Sequence, residues 1–438
     1  MISRWRLRAA FAERLSRMYG HEVPAYTTLV DVSREVNDEV LRERGVAAER
    51  LGSIGRVTAE RHGAIRVGTP LELRQVARIF GALGMSPVGF YDLRDAAASA
   101  VPVVSTAFRP VEPEELERNP FRVFTSMLTP ADPRFFDADL RARLEAFLAG
   151  RELFSPELLA LADRAEAEHG LPEAQAERFL DLAVSAFELS PEPVDKAWYE
   201  TLERVSAVAA DIGGVRSTHI NHLTPRVLDI DELYRRMGER GIAMIDAIQG
   251  PPKWDGPDVL LRQTSFRALA EPRSFRLPDG SVAPGSLRVR FGEVEARGIA
   301  LTRAGREIYD RLETVADWRA RMPRTEAELA ARGLAYFTYH AVPDRPRDGS
   351  RPPAAIGELL REGWVTARPI VYEDFLPRSA AGIFQSNLSG EGSKNERDDG
   401  LAYDAERLSG DLGRPVLDPF DIYERQRIDS IERSHREL

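Results

Sequence analysis

His62-Gly-Ala-Ile-Arg-Val-Gly-Thr-Pro-Leu-Glu-Leu73 recurs further along the chain as His222-Leu-Thr-Pro-Arg-Val-Leu-Asp-Ile-Asp-Glu-Leu233. Both fit His-x-x-x-Arg-Val-x-(Thr/Asp)-x-x-Glu-Leu. His62 falls on His222, Arg66 on Arg226, Val67 on Val227 and Glu72-Leu73 on Glu232-Leu233. Thr69 and Asp229 also fall in register. Each is a residue type whose side-chain oxygen caps a helix, and each has a glutamate three residues on. Pro70 suits the first helical position. Repeats of this kind decide the architecture before any single element does. Each copy reads as strand, helix and three more strands. In the first copy the strand is 62–68, the helix runs from Pro70 to about Gly84, and strands follow at 87–91, 101–108 and 121–128. In the second, a strand begins near His219, Asp229 caps a helix ending at Gly241, and strands follow near 242–248, 259–268 and 287–298. Ser105-Thr-Ala-Phe-Arg109 echoes Thr264-Ser-Phe-Arg267, and Arg122-Val123 echoes Arg288-Val289. The last pairing sets Met127 where the second copy has Glu293.

Working outward, residues 1–61 read as N-terminal helices, 62–128 as the first βαβββ module and 213–305 as the second. Between them, 129–212 is a helical insertion. Glu, Ala, Leu and Arg dominate from Asp139 to Leu189, with apolar residues at helical spacing. Residues 306–438 form a C-terminal extension that closes the pocket. It holds an apolar strand at Leu334–Tyr339 and Pro/Gly-rich loops at 343–356 and 388–400, which read as exposed. The stretch Tyr372-Glu-Asp-Phe375 onward to Leu388 is rich in aromatic, small and amide residues and reads as a buried loop. The expected fold class is α+β.

The chain has 438 residues and a net charge of −10, from 60 basic and 70 acidic residues. Arg and Glu are interspersed, so no concentrated basic face is available to a nucleic acid or an anionic membrane. It has no cysteine, which excludes disulfides, thiolate metal sites and a cysteine nucleophile. No apolar run approaches the roughly 20 residues that span a bilayer, and the basic, amphipathic start lacks the pattern of a secretory signal. The expectation is a cytoplasmic protein. P-loop, dinucleotide-binding GxGxxG, GxSxG and HExxH motifs are all missing.

Only seven histidines are present. His62 and His222 begin equivalent strands. Side chains alternate along a strand, so Glu293, Glu295 and Arg297 share one face of the last strand of module two. One of these carboxylates with two imidazoles makes the facial triad of non-haem Fe(II) oxygenases, with positions left for substrate and O2. His219 competes with His222, and Glu295 with Glu293; the repeat register favours His222. Arg66, four residues after His62, shares its face at about 13 Å along the strand, and could hold a substrate carboxylate in bidentate fashion. Gln263, Ser265 and Arg267 are weaker pocket candidates. His21, His169, His340 and His435 lack any such context.

A duplicated βαβββ module resembles the vicinal oxygen chelate superfamily. There, paired sheets curl into a half-open barrel, and a histidine on the first strand of each module and a glutamate on a last strand bind the metal. Phe291-Gly-Glu293-x-x-x-Arg297 resembles the segment around the iron glutamate of 4-hydroxyphenylpyruvate dioxygenase, which favours Glu293. Several segments together resemble the 2-oxoadipate dioxygenase/decarboxylase family, or hydroxyglutarate synthases. They are Arg61–Thr69, His219–Arg226, Leu260–Phe266, Phe291–Glu293 with Arg297-Gly298, Val371–Pro377 and Ser379–Leu388. The resemblance implies Fe(II) held by His62, His222 and Glu293. It also implies a substrate carboxylate on Arg66, further substrate contacts at Arg378 and Ser379, and conversion of 2-oxoadipate and O2 to 2-hydroxyglutarate and CO2, a late step of lysine breakdown. Arg378 departs from the pattern, because a small apolar residue is expected there. A glyoxalase-like isomerase, an extradiol-type dioxygenase and a non-catalytic metabolite-binding module are the alternatives on the same fold. An isomerase would need no O2, and an extradiol enzyme would want catechols.

Overall fold

The computed structural model describes residues 1–95, 101–343, 351–377, 387, 394 and 400–438. Its centre is a mixed sheet. Strands β1 (Arg61–Val67), β2 (Ser86–Asp92), β3 (Val103–Arg109), β4 (Arg122–Leu128) and β5 (His222–Pro225) lie in the order β2-β3-β4-β1-β5. β1 runs parallel to β4, with His62 beside Arg122, and antiparallel to β5, with Ala64 opposite His222. Strands β6 (Leu261–Ser265) and β7 (Glu293–Arg297) pair antiparallel, with Ser265 opposite Glu293. A parallel bridge from Arg226 to Glu295 joins β7 to the end of β5, where Val227 N donates to Glu295 O at 2.8 Å. Bridges from Met244 to Phe266 and Gln249 to Gln263 add an outer edge. The order β1-β4-β3-β2 is therefore repeated as β5-β7-β6-(244–249). Among the described residues no pairing links β2 to 244–249, so the sheet is not a closed barrel.

The register puts Gly63 opposite Leu223, which are repeat equivalents. A local two-fold axis passes between them, and His62 and His222 flank it on one face. A Cβ on Gly63 would lie 2.7 Å from Ile220 Cδ1 and 3.3 Å from Leu223 Cδ2, so the bare backbone lets the two halves meet closely.

The helices Pro70–Ala82 and Ile230–Glu239 follow β1 and β5. Thr69 Oγ1 accepts from Glu72 N at 3.2 Å, and Asp229 Oδ1 accepts from Glu232 N at 3.0 Å. Glu72 turns instead to Gly68 N at 2.6 Å and to Arg151 at 2.7 Å, tying the helical segment to β1. That segment contains the helices Ala138–Ala149, Pro156–Ala167, Glu173–Ser185, Lys196–Glu203 and Ala207–Gly213. It shares one core with the N-terminal helix Arg4–Glu22: Phe187 packs on Phe11, Phe80 and Phe154 at 6.1, 6.2 and 5.9 Å between ring centroids. Each buried phenylalanine contributes about 1.5–3 kcal/mol, so the segment is fastened to the body. The C-terminal helix Pro419–Glu437 lies on the hairpin Phe337–Ala341/Val365–Pro369, where Ser434 Oγ donates to Tyr339 O at 2.8 Å. Among the described residues no helix is long and apolar enough to cross a membrane.

Three expectations of the second half need correction. β5 starts at His222 rather than near His219, because residues 219–221 carry a separate polar cluster. Residues 242–248 form no continuous strand. Ile245 N bonds Ser265 O and Gln249 N bonds Gln263 O, so four residues on the edge face two on β6 and the chain bulges. The stretch 287–298 yields only β7 as its strand, because the preceding hairpin Glu271–Arg276/Val282–Leu287 ends at Leu287.

Candidate metal centre

β1, β5 and β7 turn His62, His222 and Glu293 to a common point. One ligand atom from each lies within 4.8 Å of the others. Glu293 Oε1 is 3.2 Å from His62 Nε2, and its Oε2 is 3.7 Å from His222 Nε2. All three side chains are buried. His62 packs edge-on against Phe375 at 5.0 Å between centroids, and His222 lies 5.0 Å from the Phe291 ring.

The pairing corrects the sequence alignment of the last strands. Arg66 lies beside Ser126, and Arg226 beside Glu295. Ser126 is thus the equivalent of Glu295, and Phe124 the equivalent of Glu293. Met127, aligned from the Arg-Val dipeptide, is three residues out and on the opposite face, since Arg288-Val289 precedes β7 instead of lying in it. Module one still supplies no carboxylate at this position.

A divalent cation fits this group. Both ring nitrogens of His222 are buried without a hydrogen-bond partner among the described residues. Burial holds His222 well below the usual histidine range, with His62 and Arg66 adding to the effect; it is a neutral imidazole, the form that ligates. Burial pushes the Glu293 carboxyl up, against the pull of His62. A cation that binds this fold and not the unfolded chain, at 100 times its Kd, should add about 2.7 kcal/mol to the unfolding free energy. Thermal unfolding with and without chelator measures this; an unchanged midpoint at saturating metal would count against the site.

Glu295 sits behind His62, not at the cation position. Its Oε2 is 2.9 Å from His62 Nδ1. Burial alone would raise Glu295, but Arg297, His62 and Arg122 pull it down to about 2. Arg297 grips it with two bonds of 2.8 Å. Arg122, fully buried, reaches Glu295 at 3.2 Å and Glu60 at 2.7 Å, and also bonds Glu373. Arg226 bonds Glu60 at 2.9 Å, Arg56 pairs with Glu373, and Arg109 holds Asp374 at 2.8 Å with Tyr423 on the same carboxylate. No motif in the sequence marks Glu60, Arg122, Glu373 or Asp374 for this role. Their one signal is the acidic pair Glu373-Asp374 set between Tyr372 and Phe375 in the stretch expected to be buried.

Arg66 is buried on the His62 face and ion-paired through Nη1 to Asp211. Ser265 lies beside Glu293 and its Oγ accepts from Asn387 Nδ2 at 2.7 Å. Gln263 pairs with Glu295 on the same face, whereas Arg267 forms an exposed ion pair with Asp246. His219 is not part of the metal group; its Nε2 is 3.4 Å from Asp211. Arg378 and Ser379 lie outside the described residues.

A family model described as 2-oxoadipate dioxygenase/decarboxylase matches residues 11–387. A curated relative from Mycobacterium tuberculosis, named 2-oxoadipate dioxygenase/decarboxylase, is 59% identical over 422 residues, 95% of each chain. One of the same name from Escherichia coli is 40% identical and covers 98% of this chain and 97% of its own. The crystal structure of the hydroxyglutarate synthase from Pseudomonas putida in complex with 2-oxoadipate superposes with a TM-score of 0.84 at 37% identity, covering 100% of this chain and 99% of that one. With a converging His-His-Glu group and relatives that match nearly its whole length, the chain belongs to the 2-oxoadipate dioxygenase/decarboxylase family.

Proposed function

We propose that the protein is a cytoplasmic Fe(II) dioxygenase that converts 2-oxoadipate and O2 into 2-hydroxyglutarate and CO2. The observation that carries this reading is the buried convergence of His62, His222 and Glu293 in a chain 59% identical to a named 2-oxoadipate dioxygenase/decarboxylase. In this reading the two halves, 62–128 and 213–305, are duplicated βαβββ modules of the vicinal oxygen chelate type. Together they form a half-open barrel, supported by the repeated strand order and the Gly63/Leu223 axis. Residues 1–61, 129–212 and 306–438 are the additions that seal it.

His62, His222 and Glu293 would hold ferrous iron, which would activate O2 and act as a Lewis acid toward the 2-oxo acid, while the substrate itself would supply the net electrons. The chain does the rest. His222 and Glu293 offer a neutral nitrogen and an anionic oxygen, with no rival partner among the described residues strong enough to hold them off the metal. Glu295, clamped by Arg297 and Arg122, fixes the His62 ring through its Nδ1 side, the usual way a carboxylate orients a ligating imidazole. Arg66 takes the distal carboxylate of the substrate. Phe375 and Phe124, 5.1 Å apart, with Phe291 behind His222, wall off water. A dry site strengthens each electrostatic contact within it.

The test is anaerobic loading with Fe(II), addition of 2-oxoadipate, admission of O2, and parallel measurement of O2 uptake and product mass. One O2 consumed per 2-hydroxyglutarate formed is expected. Turnover of a substrate without O2, and with other divalent ions, would point to an isomerase instead.

A further inference from the structure

Beside the metal group lies a second buried polar cluster. Asp211, on the helix Ala207–Gly213, is ion-paired to Arg66 Nη1. The same oxygen, Oδ2, accepts from Asn221 Nδ2 at 3.0 Å, and Oδ1 is 3.4 Å from His219 Nε2. Asn221 Nδ2 and His219 Nε2 are themselves 3.2 Å apart. Asp211 and Arg66 are each 4% exposed. The carboxylate is thus fixed from three sides by residues that are themselves buried. Thr218 Oγ1 donates to Arg66 O at 2.8 Å, so the backbone of Arg66 is held by the same lead-in to β5.

A guanidinium is a planar fork, and holding one corner to a fixed carboxylate sets the direction of the whole plane. A planar group can receive a carboxylate well only in that plane. We propose that Asp211 is a positioning residue for this reaction. It sets the plane in which Arg66 meets the distal carboxylate of the 2-oxo acid, and the helix Ala207–Gly213 carries it there. The inference rests on the proposed function, with Arg66 as the carboxylate-binding residue.

Asp211→Asn keeps the shape but turns an acceptor that Arg66, Asn221 and His219 surround into an amide with only one oxygen to offer. The expected result is a KM for 2-oxoadipate raised about 10- to 100-fold, as for a misplaced positioning group. kcat should stay within about threefold and bound iron per chain should be unchanged. Because Asp211 acts through Arg66, adding Asp211→Asn to Arg66→Ala should change KM little further, the non-additivity expected of residues in direct contact. A merely structural role would instead lower the active fraction, and so kcat, in both backgrounds. A KM in Asp211→Asn within twofold of wild type, or effects that multiply in the double variant, would overturn the inference while leaving the proposed function standing. Absence of 2-oxoadipate turnover in the wild type is read from a separate arm and would remove both.

Discussion

His222→Ala is expected to lose ferrous iron, and with it all O2-dependent turnover. Removing an outer partner of a metal ligand costs roughly 10- to 100-fold in metal affinity or activity; removing one of three ligands should cost more than that. The same change should do little harm to the metal-free fold. Two buried ring nitrogens without partners among the described residues disappear, relieving an unmet polar cost of about 1–3 kcal/mol. The small cavity left behind costs a similar amount. Iron content after gel filtration, O2 uptake and urea unfolding of the apo-protein together check this. Full iron occupancy in His222→Ala would remove His222 from the ligand set.

Arg122→Met should have the opposite profile, with a large loss of stability. Arg122 is fully buried and bonds Glu60, Glu295 and Glu373. Taking away one partner of a buried ion pair costs about 3–5 kcal/mol, since it strands the opposite charge. Here three carboxylates lose a partner, in a domain whose whole stability is about 5–15 kcal/mol. The wild type already shows which way pH acts. Burial would raise Glu60, but Arg226, Arg122, Arg56 and Arg297 hold it well below the carboxylate range. Burial opposes Glu373 as well, and Arg56 and Arg122 pull it down. Groups whose folded pKa is depressed stabilise above their unfolded pKa, near 4.5, and lose that contribution as pH falls toward the folded value. Acid should therefore unfold the wild type progressively below about pH 4.5. Arg122→Met, with less depressed carboxylates, should be less stable at pH 7 and show a shallower acid dependence. Urea midpoints at pH 7, 5 and 4 measure it; a variant within about 1 kcal/mol of wild type at pH 7 would mean the cluster is far weaker than a buried network should be.

Much of the centre was legible in sequence because it obeys the repeat. Two histidines at equivalent first-strand positions, and cap residues in register, point to the paired halves and to His62 and His222. The choice of Glu293 over Glu295 leaned on a family resemblance, since both share a face. Geometry separates them by what stands behind: Arg297 and Arg122 draw Glu295 away, while Glu293 faces both imidazoles. The misaligned Met127 shows the limit of matching dipeptides, because a strand register depends on bulges and insertions that leave no fixed spacing. The charge network was illegible for another reason. Its members come from residues 56–60, 122, 226, 295–297 and 373, which only folding brings together. In a chain with 60 basic and 70 acidic residues, the buried ones carry no mark. The same holds for Asp211, one acid among many in a helical stretch.

The most direct test of the central claim is diffraction at the iron absorption edge from crystals grown without O2 and soaked with Fe(II) and 2-oxoadipate. The account predicts one strong anomalous peak about 2.0–2.2 Å, the usual nitrogen and oxygen ligand distance, from His62 Nε2, His222 Nε2 and a Glu293 oxygen, with the far carboxylate of the substrate on Arg66. A peak elsewhere, or a substrate chelated to iron with its far carboxylate away from Arg66, would contradict it.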